Sequence, residues 1–275
     1  MAVKQFFLFT KKEGIDQIEY FIENKISNLK IIDSIFFKNR TDEILLKLLV
    51  KKSTENSYLE GKFYGTNALG RYYRDVSLFD KSLNEYNNAL LISRKKKDTI
   101  LEIKTLNAIG SVYRRQDDIK NALIYHQEAL DKATTIKNPK IITKKSISIA
   151  QNSIGNIYLS LKQYELAFKE FTKAMKIQRE LGHTQGIAIN HKCFGDTYQG
   201  LGNLDEALKN YRISLNYNHK INSKIGKIIC GYNIANVLIK QKKYPQALTT
   251  IDTILHLVLE EKDKYYLSKT FNTLG

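Results

Sequence analysis

The chain is poor in the residues that break helices and in those that lock small folds. It has two prolines and 14 glycines in 275 residues, too few for the many turns of a sandwich or barrel. Only two cysteines are present, Cys193 and Cys230, 37 positions apart. That spacing matches no metal or redox motif, and two cysteines make no disulfide framework in so large a chain, so a reducing compartment is expected. No apolar run approaches the roughly 18 residues of a membrane span. The Phe6-Phe7-Leu8-Phe9 patch is too short for a signal-peptide core. These absences lead to the expectation of a cytoplasmic protein with no membrane insertion.

What is present favours helix. Apolar residues make up 43% of the chain and aromatics 11%, enough for a core. Leu, Ile, Lys, Glu and Ala crowd long stretches without breakers. The net charge is +16, and residues 1–60 contribute almost none of it, with ten basic against nine acidic residues. The later part of the chain therefore carries the excess, which favours acidic partners.

A pattern recurs along that later part. Asn67-Ala68-Leu69-Gly70, Asn107-Ala108-Ile109-Gly110, Asn152-Ser153-Ile154-Gly155, Lys192-Cys193-Phe194-Gly195, Tyr232-Asn233-Ile234-Ala235 and Asn272-Thr273-Leu274-Gly275 follow one another at spacings of 40, 45, 40, 40 and 40. Fixed self-similarity at this period signals stacked helical hairpins. Other landmarks keep step with the small residue. Three positions on stand Tyr73, Tyr113, Tyr158, Tyr198 and Leu238; twelve on, Ser82, Ala122, Ala167, Ala207 and Ala247. Sixteen on stand Tyr86, His126, Phe171, Tyr211 and Ile251; nineteen on, Ala89, Ala129, Ala174, Ser214 and Ile254. Two helices per repeat account for these spacings: small residues let the backbones approach, and aromatic or aliphatic residues fill the layer between them. Asp117-Asp118, Gly202-Asn203 and Tyr244-Pro245 fall where a second helix begins, as an N-cap or an N1 proline would. Gly182 and Gly186 punctuate one hairpin-to-hairpin joint, and the five extra residues around Asn138-Pro139 form a longer connector.

On these landmarks the chain resembles the tetratricopeptide repeat family in its long form of about 40 residues, over residues 57–275. The resemblance implies an all-α, right-handed superhelical solenoid of antiparallel helix pairs, with five hairpins and the first helix of a sixth. The fifth copy departs most from the pattern. Residues 1–56 lack the signature; Ile15 to Ile26 and Thr41 to Lys52 read as amphipathic helices that form an N-terminal cap or a divergent repeat. The sequence stops at Gly275 inside the sixth hairpin, which leads to the expectation that it is the front part of a longer protein.

The resemblance also implies a groove lined by the first helices. Carried onto this sequence, the groove positions hold Asn67, Arg71 and Arg74, then Asn107, Ser111 and Arg114 with Arg115 beside it. The third repeat supplies Asn152 and Asn156; the fourth Lys192, Asp196 and Gln199; the fifth Tyr232, Asn233 and Asn236. An asparagine offers both a donor and an acceptor, so a ladder of them matches the backbone of an extended peptide. The arginines suit an acidic or carboxylate-bearing segment. An asparagine can equally satisfy a backbone group of the next hairpin, and an arginine can simply lie on a solvated face.

Catalytic and cofactor signatures are lacking. His126 stands in an aromatic packing slot, and His191 and Cys193 lie two apart on a helix, so their side chains diverge. Gly195, Gly200 and Gly202 form neither a phosphate loop nor a dinucleotide fingerprint, and HExxH, GxSxG and CxxC are absent. The expectation is a non-enzyme with no cofactor and no metal. It would be a protein- or peptide-binding module of a larger bacterial signalling protein carrying a histidine kinase, a diguanylate cyclase or a DNA-binding output. The alternatives are a stand-alone peptide-responsive regulator and a basic nucleic-acid-binding solenoid. The basic clusters Arg94-Lys95-Lys96-Lys97, Lys144-Lys145 and Lys242-Lys243 lack interleaved stacking aromatics, which argues against nucleic acid. Solenoid ends can self-associate, so a homo-oligomer remains an open outcome.

Overall fold

The computed structural model describes residues 11–25 and 42–261. The sixth landmark (Asn272 to Gly275), the apolar residues Tyr266 and Phe271, the Phe6–Phe9 patch, Ile26 and Thr41 lie outside these residues. Twelve α-helices make up the described part, with no strand among them. Clustering in space divides the chain into two compact units at Lys137 and Asn138, within the connector that carries the five extra residues.

The first unit contains α1 (Lys11–Glu23), α2 (Glu43–Glu55), α3 (Leu59–Asp75), α4 (Phe79–Lys95), α5 (Thr99–Arg115) and α6 (Ile119–Thr134). The expected helix at Ile15 thus begins earlier, at Lys11. The cap of α2 falls on Asp42, whose side chain accepts from Leu45 N at 3.1 Å. Ile18, Phe21 and Ile22 of α1 pack with Leu45 and Leu49 of α2 and with Tyr58. The second unit contains α7 (Ile141–Ser160), α8 (Tyr164–Glu180), α9 (Thr184–Gly200), α10 (Leu204–Lys220), α11 (Lys224–Lys240) and α12 (Tyr244–Glu261). Each recurring copy is one antiparallel pair: α3 with α4, α5 with α6, α7 with α8, α9 with α10, and α11 with α12.

The landmarks meet as side-chain volume demands. The ring sixteen positions on packs against the small residue, so a Cβ at Gly70, Gly110, Gly155 or Gly195 would come within 2.5 to 2.9 Å of Tyr86, His126, Phe171 or Tyr211. In the fifth copy the partner is the smaller Ile251, and Ala235 takes the glycine's place; both are buried. The small residues twelve and nineteen on are buried in every copy. Two of them also tie helices together: Ser82 Oγ donates to Gly70 O at 2.7 Å and Ser214 Oγ to Ala188 O at 2.8 Å. Tyr73 is buried, whereas Tyr113, Tyr158 and Tyr198 are half-buried.

The joints share one backbone solution. Except at the longer connector between α6 and α7, where Pro139 follows the left-handed Asn138, each closes with a residue in the left-handed region and a hydrogen bond from the next N–H to the carbonyl five residues back. Examples are Leu78 N to Tyr73 O at 2.8 Å, Asp118 N to Tyr113 O at 3.0 Å and Lys243 N to Leu238 O at 2.8 Å. Together with the bond from the left-handed residue itself, this is a Schellman closure. Glycine holds the left-handed position only at Gly182 and Gly202; elsewhere it falls to residues such as Ser77, Lys97, Asp117, Lys162 and Lys242. Asp118 and Asn203 cap their helices by accepting from Asn121 N and Glu206 N. Pro245 is the second residue of α12 rather than the first, still within the turn that has no intrahelical acceptor for its N–H. Gly186 is not in a joint: it lies inside α9, against the Gln178 side chain.

Candidate functional site

The predicted groove positions lie on α3 and α5 of the first unit and on α7, α9 and α11 of the second. In the first unit the fold itself takes up several of them. Asn107 is only 5% exposed, and its Oδ1 stands 3.0 Å from His126 Nδ1. Ser111 Oγ donates to Asn107 O at 2.9 Å. Asn67 is half-buried, and Arg71 and Arg114 are exposed. Arg74 and Arg115 converge on one carboxylate: Arg74 Nη2 lies 2.8 Å and Arg115 Nη2 3.4 Å from Asp75 Oδ1, while Arg115 Nη1 donates to Arg74 O at 3.2 Å. Asp75 thereby neutralises part of the cationic face on which an acidic ligand would depend.

In the second unit the positions form connected networks. Asn190, fully buried on α9, donates through Nδ2 to Asn152 Oδ1 at 2.8 Å and to Phe171 O at 3.1 Å. Asn156 Nδ2 donates to Asn152 O at 2.8 Å. One turn along α9, Lys192 Nζ pairs with Asp196 Oδ2 at 2.5 Å. Burial pulls the Lys192 ammonium down, but the Asp196 carboxylate outweighs it and holds the pKa above its ordinary value. The Tyr211 hydroxyl lies 2.8 Å from Asp196 Oδ1 and 3.0 Å from Gln199 Oε1. Burial first, and then the Asp196 carboxylate, push that hydroxyl far above the ordinary range, so it stays a proton donor.

Of these side chains, Asp196, Gln199 and Tyr211 open onto one cleft of about 360 Å³ between α9, α10 and α11, whereas Asn152, Asn156, Asn190 and Lys192 do not line it. Asp196, Gln199, Tyr232, Asn233 and Asn236 line it, so the structure brings together the predicted positions of two successive copies. Within it the Nδ2 group of Asn233 is buried with no acceptor. An unsatisfied buried donor is uncommon in a folded chain and costs about 1–3 kcal/mol until something accepts from it. Gln199 turns its Oε1 to the Tyr211 hydroxyl, which leaves its NH₂ group as a further donor. The cleft offers amide groups, two tyrosines, the Asp196 carboxylate and Lys240.

Sequence reasoning did not place Tyr211 and Lys240 in the site. Tyr211 was legible as a packing residue. The missed signal is that a ring sixteen positions after the small residue ends between the groove positions one and four after it, so a tyrosine there delivers a hydroxyl to the groove. Tyr86 repeats the relation: burial raises its hydroxyl, and Arg74 and Arg71 pull it back down. Among the described residues no cluster of three or more His, Cys, Asp or Glu could hold a metal ion, and no helix is long and apolar enough to cross a membrane.

The comparisons with known proteins agree with this architecture. One curated relative is the 43 kDa receptor-associated protein of the synapse from Tetronarce californica, 22% identical over 74% of this chain. The chain spans about half the length of that relative, 48%. Among solved structures, a Rap protein complexed with competence and sporulation factor superposes with a TM-score of 0.71 at 18% identity, covering 93% of this chain and 73% of the other. The Rap conjugation gene regulator of plasmid pLS20, solved in complex with a Phr peptide, gives a TM-score of 0.69 at 16% identity, over 79% of this chain and 59% of that one. At these identities the likeness establishes the fold. A family model described as tetratricopeptide repeat matches residues 64–135 and 146–217, more than half of the chain, and the protein belongs to the tetratricopeptide repeat family.

Proposed function

We propose that this protein is a non-catalytic interaction module that binds an extended segment of another protein in the cleft between α9, α10 and α11. The observation that carries the reading is the convergence of five groove positions from two successive copies on one cleft. Amide donors on adjacent first helices match the carbonyls of an extended backbone and favour a segment with few demands on its side chains. In this reading residues 57–275 carry the binding, residues 1–56 cap the array, and the module serves regulation. The likeness to Rap proteins, two of them solved with bound factors, supports a peptide-responsive regulator as the second reading, in which the occupant is a short signalling peptide.

Part of the basic clusters is already paired within the chain, which weighs against nucleic acid and against a broad anionic surface. Arg94 pairs with Glu102 at 2.9 Å and with Glu128 at 3.5 Å, Lys96 with Glu60, and Lys144 with Glu180 at 3.5 Å. Cations already paired within the chain release few counterions on meeting phosphate.

The test is capture from the source cell with the whole chain as bait, beside a variant carrying Gln199→Ala, Asn233→Ala and Asn236→Ala. A thermal melt checks that the variant folds. A protein or peptide retained by the natural chain and lost by the variant supports the cleft; identical capture by both rejects it.

A further inference from the structure

The fifth copy departs from the pattern at four positions that meet in space. In the fourth copy the positions four before, one before, three after and twenty-two after the small residue hold His191, Phe194, Tyr198 and Tyr217. These rings fill the layer between α8, α9 and α10. His191 stacks on Tyr217 with centroids 6.0 Å apart and planes at 12°, and Phe168 packs on Phe194 at 5.6 Å and on Tyr198 at 4.9 Å. His191 Nδ1 is also 3.0 Å from Asn210 Oδ1. In the fifth copy the same positions hold Gly231, Ile234, Leu238 and Leu257, and Thr250 replaces the asparagine. Four rings have become one hydrogen atom and three aliphatic chains; Ile254, in place of Ser214, fills the space directly beside Gly231 but not the rest, and the helices keep their pairing. A cavity of about 470 Å³ results between α10, α11 and α12.

Its lining is chemically one-sided. Leu215, Ile234, Leu238, Ile254 and Leu257 form the floor, and Arg212, His219 and Lys227 stand at the edge, with no carboxylate among the lining residues. The threonine hydroxyls of α12 are turned inward to their own helix: Thr249 donates to Pro245 O, Thr250 to Gln246 O and Thr253 to Thr249 O, at 3.1, 2.8 and 2.9 Å. They therefore present methyl groups and lone pairs rather than free donors. An apolar floor excludes a polar occupant, and a cationic edge without acids selects an anionic head. The volume lies in the range of small-ligand pockets.

From this geometry we infer that the cavity between α10, α11 and α12 binds a small amphiphilic anion, a medium-chain carboxylate, with its tail on the leucine floor and its head at Arg212 and Lys227. The site is separate from the cleft between α9, α10 and α11, so it stands whether or not that cleft binds a peptide. It would make the fifth copy a receptor for a metabolite-sized ligand within an otherwise protein-binding array.

The probe is decanoate, titrated calorimetrically into the whole chain below its micelle-forming concentration. Three variants or ligands frame the test. Ile234→Phe with Leu257→Tyr restores the residues of the fourth copy and fills the cavity; Arg212→Glu with Lys227→Glu keeps the cavity and reverses its edge; decyltrimethylammonium carries the same tail on a cation. Saturable one-to-one binding of decanoate is expected, abolished in the filled variant, weakened at least tenfold in the edge variant and absent for the cationic ligand. Circular dichroism and a melt confirm that both variants fold, and a filled variant that does not is replaced by Leu257→Tyr alone. No binding of decanoate, equal binding by the filled variant, or binding only of an acidic leucine-rich peptide would each overturn the inference.

Discussion

The ring of Phe171 stands where a Cβ on residue 155 would point: that position lies 2.5 Å from Phe171 Cε1. Elsewhere in a helix alanine is favoured over glycine by about 1 kcal/mol, so the glycine is retained for space and not for backbone freedom. Gly155→Ala should lower stability by about 1–3 kcal/mol through overpacking, read as a shift in the denaturation midpoint. Adding Phe171→Ile recreates the Ala235 and Ile251 pair of the fifth copy. The double variant should then be less unstable than the two single losses added together, and strict additivity would show that the two residues are not coupled.

His126 gives the protein a specific acid sensitivity. Burial, with a smaller contribution from Arg114, lowers its pKa to about 3 from an ordinary 6.5, and its Nε2 is buried without a partner. The folded state therefore keeps the ring neutral where the unfolded chain would protonate it. Its contribution is intact above pH 6.5 and is lost progressively as pH falls toward 3, reaching about 2 kcal/mol by pH 5. His126→Phe, which places the third copy's residue in the slot, should flatten that part of the stability profile between pH 7 and 5. An unchanged slope would assign the sensitivity to other groups.

The left-handed lysines at the joints leave stability in reserve. Lys162 has φ of 58° and Lys242 of 60°, conformations that cost a side chain roughly 1 kcal/mol relative to glycine. Lys162→Gly should raise the melting temperature, and Gly202→Ala, at φ of 80°, should lower it by a similar amount. Neither change touches the cleft, so binding should be unaffected.

Tyr211→Phe separates packing from hydrogen bonding in the candidate site. Phe171 shows that the slot accepts a phenyl ring. The lost hydroxyl leaves Asp196 and Gln199 without their common partner, at a cost of about 1 kcal/mol. If the cleft is the binding site, affinity for the captured partner should fall further than stability does, because Gln199 is then free to turn and Asp196 is held by Lys192 alone. Equal affinity would place the ligand elsewhere.

The helical pairs were legible because their determinants are local and repeated. A small residue at a fixed distance from an aromatic one is a volume constraint, and volume constraints leave a mark in sequence. The site was less legible. Asn107 and Asn152 occupy the same repeat position and Asn233 the next one along, yet one accepts from a buried imidazole, one from Asn190 and one has no acceptor for its amide. What decides among these fates is the residue opposite, contributed by another helix, and no spacing within one helix records it. The convergence of Arg74 and Arg115 on Asp75 was hidden in the same way. Gly186 misled because a glycine that makes room for a side chain resembles a glycine that turns a chain.

Because the joints are closed by main-chain groups, almost nothing is asked of the side chains there. Lys97, Lys162 and Lys242 sit at positions that glycine or asparagine would fill with less strain, and the chain folds regardless. Such sites accept residues as different as Ser77, Asp117, Asn222 and these lysines. Three of the cations behind the +16 charge are then held by backbone geometry alone, exposed at positions that take no part in the packing between the helices.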